Sequence, residues 1–129
     1  MMNTIAEKHT AEVLNERAVK QLLEAHRQQE DQPLLLAVRF RGDVEEDIHL
    51  LEVLAGFPGD DDDELFVADF APSASLVMLG KLYLVLASPG QIQAAVKRRD
   101  PLIDEIRGGK VVYSDGSQSA KAICKELGL

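Results

Sequence analysis

The chain has 129 residues, 46% of them apolar and 28% charged, which fits a single domain with a core of its own and excludes global disorder. A formal net charge of −8 repels phosphate backbones and anionic bilayers, so it argues against nucleic acid and membrane and toward a protein partner. One cysteine, Cys124, excludes an intramolecular disulfide and a cysteine-rich zinc site.

The opening MMNTIAEKHTAEV lacks the basic-then-apolar pattern of a signal peptide, and the expected location is the cytoplasm. Thr4-Ile5-Ala6-Glu7 has capping-box spacing. Val13, Leu14, Ala18, Val19, Leu22 and Leu23 then recur at three-and-four spacing. Together they predict one long amphipathic helix over 4–29, packed on the sheet and stopped by the polar run before Pro33. Leu34 to Phe40 reads as a buried strand, Arg41-Gly42-Asp43 as a turn and Asp47 to Leu54 as a second strand. Alternation puts Asp47, His49, Leu51 and Val53 on one face, and Ile48, Leu50, Glu52 and Leu54 on the other. Residues 56–64 form an acidic loop holding Asp60 to Asp63, and Leu65 to Phe70 a third strand. Two readings compete for the runs Leu76 to Leu79 and Leu82 to Ala87. A type II′ hairpin turn at Gly80-Lys81 pairs them, or the second run alone is a strand.

Ser88-Pro89 is a helix start, with a capping serine and proline at the first helical position. Lys97, Arg98 and Arg99 close that helix at its carbonyl end. Asp100-Pro101 repeats the start signal, and Gly108-Gly109 stops a short helix. Lys110 to Ser114 is a strand, and a turn at 115–117 leads into a last helix ended by Gly128. The fold class is α+β: a central mixed β-sheet with helices mainly on one face, in one domain over 1–129.

Few residues combine into chemistry. Asp60 to Glu64 offers hard oxygen ligands, but calcium-loop spacing is absent and adjacent aspartates cannot converge on one ion, so a solvated loop is expected. Cys124 lies in an apolar stripe with no neighbouring base, the setting of a buried structural thiol. Lys97-Arg98-Arg99 reads as helix-end charge ahead of a phosphate site, since no aromatic residue interleaves with it. His9 and His26 are too far apart to share a metal, and both are expected at the surface. Glu45, Asp47 and His49 alternate along one strand face, either as a divalent-metal set or as a polar strand edge.

The stretch LLLAVRFRGDVEEDIHLLEV also resembles the minimal nucleotidyltransferases of the polymerase-β type. In them a strand leads through a Gly-Ser turn to a second strand opening Asp-x-Asp, with a third carboxylate on a later strand. Here Asp47-Ile48-His49 matches the Asp-x-Asp position. KLYLVLASP and RRDPLIDEIRGGKVVYSDG are similar to the family's third strand, its Pro-initiated short helix and its closing strand. The likeness covers about residues 34–116 in order of elements. It implies a nucleotidyltransferase-like fold and places magnesium at Asp47. Against the net charge of −8, the residues available for a basic triphosphate pocket are Arg39, Arg41 and Lys81. The chain departs from the pattern at the chemistry. Arg39-Phe40-Arg41 replaces the Gly-Ser pair, His49 the second aspartate and Tyr83 the third carboxylate. The resemblance therefore implies a degenerate, non-catalytic copy.

The expected function is that of a non-catalytic domain working by protein–protein interaction or as a homo-oligomer, without a cofactor. The alternatives are a divergent metal-dependent nucleotidyltransferase and a nucleotide-binding regulatory module.

Overall fold

The computed structural model describes residues 17, 19–25, 27, 31–41, 48–57, 64–70 and 82–129. The first helix, α1, is seen at residues 19–25, and the remainder of the helix expected over 4–29 lies mostly outside the described residues. Then follow β1 (Leu34–Phe40), β2 (Ile48–Leu54), β3 (Phe66–Phe70), β4 (Leu82–Ala87), α2 (Pro89–Lys97), α3 (Pro101–Arg107), β5 (Lys110–Ser114) and α4 (Gln118–Leu127).

The five strands form one sheet in the order β3-β4-β2-β1-β5. β2 runs parallel to β4, and the other neighbours are antiparallel, so the sheet is mixed. β1 and β2 are apolar at nearly every position because helices cover both faces of the sheet. On one face Leu36, Val38, Phe40, Leu51, Val53 and Val85 pack with Ile92 and Ala95 of α2, Ile103 and Ile106 of α3, and Ile123 and Leu127 of α4. On the other, Leu34, Ala37, Ile48, Leu50, Leu82 and Leu84 pack with Val19, Leu22 and Leu23 of α1. Three helices share one face and one lies opposite.

Local chemistry sets the helix starts. Gln91 N donates to Ser88 Oγ at 3.1 Å while Ser88 N donates to Gln91 Oε1 at 2.9 Å, a reciprocal cap on α2. Leu102 N donates to Asp100 Oδ1 at 3.0 Å on α3, and Ala120 N to Ser117 Oγ at 3.1 Å on α4. Between α3 and β5 the chain needs Gly109. A Cβ there would stand 2.6 Å from the Arg39 carbonyl oxygen and 2.9 Å from that of Ile106.

Differences from expectation are local. Cys124 is half-buried, not buried, because it lies at the margin of the stripe that Ala120, Ile123 and Leu127 drive into the core. The turn expected at Gly80-Lys81 lies outside the described residues, while β4 is itself paired along both edges. The acidic residues Asp60 to Asp63 and both His9 and His26 also lie outside them. A bulge in β5 is new. Val38 pairs with Val111 and Ala37 with Tyr113, so Val112 is passed over. The extra residue sends Val111 to the three-helix face and Tyr113, two residues on, to the α1 face. There the Arg27 guanidinium sits 5.4 Å from the Tyr113 ring centre.

Candidate functional site

Of the site residues foreseen in the sequence, His49 and Arg41 come together where β1 ends and β2 and β4 begin, beside Tyr83. β1 is antiparallel to β2 and β4 parallel to it, so these three termini fall at one end of the sheet. Phe40 pairs with His49, and His49 with Tyr83. Three rings therefore stand side by side on three adjacent strands. His49 stacks on Tyr83 at 4.7 Å with 15° between planes, and Phe40 tilts onto His49 at 5.7 Å, both favourable aromatic geometries.

Arg41 closes the group. Its φ of +53° breaks strand alternation, which alone would send its side chain to the α1 face. Instead its guanidinium reaches Glu105 of α3, with Nη2 donating to Oε1 at 2.5 Å and to Oε2 at 2.6 Å. Nη1 lies 3.1 Å from His49 Nε2. A guanidinium only donates, so Nε2 accepts, and its lone pair is the one a metal would take. Both members of the ion pair remain well exposed, at 49% and 38%, so the pair is worth no more than about 1 kcal/mol. Its main effect is positional: a cation held over the imidazole.

Of the metal set foreseen, His49 is described, and Glu45 and Asp47 lie outside the described residues. Among the described residues no three His, Cys, Asp or Glu side chains converge as metal ligands. Of the basic set, Lys81 lies outside, and the two arginines part. Arg39 follows alternation onto the Ala37 face, where its Nη2 is buried with no hydrogen-bond partner among the described residues. Arg41 swings to the opposite face. The chain is not detectably similar to any family model, curated protein or solved structure compared with it.

A separate cleft of about 450 Å³ is lined by Glu64, Leu65, Arg98, Arg99 and Asp100 among others. It holds two residues of the basic run. Arg98 is bridged to Asp100 at 3.2 Å. The left-handed Arg99 serves the end of α2, where Asp100 N donates back to the Ala95 carbonyl. Both features belong to the helix end.

Sequence reasoning missed Glu105, which pairs across 64 positions and carries no local signal. It also missed the charge inside the sheet. Glu52 is fully buried in the central strand, though its place on one face with Leu50 and Leu54 was legible in the alternation.

Proposed function

We propose that the chain is a non-catalytic α/β domain that acts by binding another protein or a second copy of itself, on a nucleotidyltransferase-like scaffold. The observation that carries this reading is the Arg41 guanidinium, 3.1 Å from His49 Nε2 and paired with Glu105. Phosphoryl transfer of the resembling kind needs carboxylates holding two cations that clamp the attacking and leaving oxygens. Here an imidazole stands at one carboxylate position and a phenol, Tyr83, beside it. A protein cation engages the imidazole. This supports a scaffold kept for binding. A full helix over 4–29, a cytoplasmic setting and no nucleic-acid partner belong to the same reading.

The test incubates purified protein with magnesium or manganese and labelled nucleoside triphosphates. The expected result is no pyrophosphate release and no self-labelling. Turnover that disappears in Asp47→Asn would overturn the proposal and install the metal-dependent transferase using Asp47, His49 and either Glu45 or Asp43.

One observation favours a second reading, a regulatory module that binds a nucleotide without turning it over. Arg39 has a buried Nη2 with no hydrogen-bond partner among the described residues, an arrangement suited to an anion. An NMR titration with each triphosphate separates the two. Saturable shifts around Arg39 favour the nucleotide, and no shifts favour the protein partner.

A further inference from the structure

β1 and β5 bring two cations together on the α1 face of the sheet. Arg39 and Lys110 are direct partners in the antiparallel ladder, so their side chains leave the sheet on the same side. That side is the one Ala37 and Tyr113 share with α1, because Val38 and Val111, the next residues along each strand, pack on the other. Like charges directly opposite one another, with Cβ atoms about 5 Å apart, destabilise a ladder. The bulge at Val112 adds a third cation. It makes Tyr113 the next residue after Lys110 on this face, and the Arg27 guanidinium lies over the Tyr113 ring, 5.4 Å from its centre. In a chain of net charge −8 this grouping runs against the overall balance.

Arg39 is the unsatisfied member of the group. Its Nη2 is buried and has no hydrogen-bond partner among the described residues. A guanidinium nitrogen taken out of water without an acceptor loses hydrogen bonds and regains none. The described carboxylates nearby do not supply the acceptor. Glu52 shares the face but stands opposite Ala37, on the diagonal from Arg39, and makes no bond to Nη2. Glu24 reaches Arg27 instead, at 3.8 Å along the first helix. Lys110 is exposed and Arg39 half-buried, so the group opens to solvent on the Lys110 side.

We infer that Arg39 and Lys110 form an oxyanion site that takes a phosphate group, with Arg27 beside them. The inference goes beyond the protein-binding reading and rests on the nucleotide reading above, to which it gives a point of contact. A tetrahedral phosphate carries several acceptor oxygens, enough to meet Nη2 and the Lys110 ammonium together, and its charge relieves the repulsion between them. The Arg27 guanidinium already covers the Tyr113 ring, so that face of the ring is closed to a stacked base. Recognition is therefore of the phosphate and not of the base. The site is separate from the Arg41–His49 group, whose arginine reaches α3 on the opposite side of the sheet.

The test is an NMR titration of the full chain with sodium phosphate, against sodium chloride at matched ionic strength, reading amide and arginine side-chain signals. Phosphate is expected to shift Arg39 Nε–H and the Lys110 and Tyr113 amides saturably, with a Kd on the order of 1–10 mM. ATP and GTP should move the same signals equally well. Lys110→Gln alters an exposed side chain and should weaken phosphate binding about threefold. Arg39→Gln should abolish it, with amide spectra confirming the fold. Binding unchanged in Lys110→Gln overturns the site. Phosphate shifts spread equally over Lys97, Arg98 and Arg99 show general screening and overturn it too. A preference for ATP over GTP reveals a base contact and overturns recognition of the phosphate alone. Shifts with a triphosphate and none with inorganic phosphate overturn the phosphate site but leave the nucleotide reading standing. Silence toward both removes both and leaves the protein partner.

Discussion

Arg41 owes its role to one backbone angle. With φ at +53° it leaves the strand on the Phe40 side and covers His49. Arg41→Ala should therefore remove the guanidinium held against Nε2. Zinc added to that variant is expected to shift the His49 ring resonances at lower concentration than in the wild type, as NMR would show. Gly109 is constrained more severely, because a methyl group would collide with the carbonyl oxygens of Arg39 and Ile106. Backbone cannot yield as a flexible side chain can, so Gly109→Ala should cost at least about 1–3 kcal/mol in urea unfolding. Cys124 gives a pH effect. Burial pushes its thiol above the ordinary value of 9.0. Below pH 9 both folded and unfolded chains keep the proton, and the contribution to stability is fully present. Above it the unfolded chain ionises first, so stability falls as pH rises, and Cys124→Ala should remove that part of the fall. At this scale the sequence placed His49 and Tyr83 on strands, which the structure sets side by side. It did not show Glu105, whose contact with Arg41 depends on where α3 docks.

The elements were legible where short-range chemistry defines them. Ser88-Pro89 and Asp100-Pro101 mark the first turns of α2 and α3 because cap and ring act within four residues. Likewise the apolar run of β1 announced a buried strand, whereas β2, read as an alternating strand, is buried at every position but His49. Strand order was not legible. The placement of β3 outside β4, and the parallel pairing of β2 with β4, depend on contacts far apart in sequence. The bulge at Val112 was hidden as well, since Lys-Val-Val-Tyr-Ser alternates no more irregularly than a regular strand. α1 was half legible. Its stripe was clear, but not that it would cover the face opposite α2, α3 and α4. Val19, Leu22 and Leu23 are each 6–7% exposed, and no other described helix covers that face. Leu22→Asp puts a carboxylate among apolar side chains and should cost about 3–5 kcal/mol, much of a typical domain's stability. A thermal melt checks it. An unchanged melting temperature would show α1 to be an appendage.

For the whole molecule the charge distribution sets behaviour in solution. A net −8 destabilises the compact state by self-repulsion. Raising ionic strength from about 10 mM to about 150 mM shortens the screening length from roughly 30 Å to 8 Å. The melting temperature should rise by a few degrees as a result, and differential scanning calorimetry at both salts is the check. The order of the sheet has a further consequence for how the chain is made. β1 lies between β2 and β5, and β5 follows β2, β3, β4, α2 and α3 in the chain. A nascent chain emerging from the ribosome can pair β1 with β2 early. It must then wait for the 55 residues between Leu54 and Lys110 before the strand that covers the remaining edge of β1, and still longer for the α4 residues Ile123 and Leu127 that complete the core. Until then an apolar strand edge is open to any neighbouring chain. Folding is thus expected to finish only once α4 has left the ribosome, and chains truncated after Gly109 should collect with chaperones or aggregate instead of forming a smaller native domain.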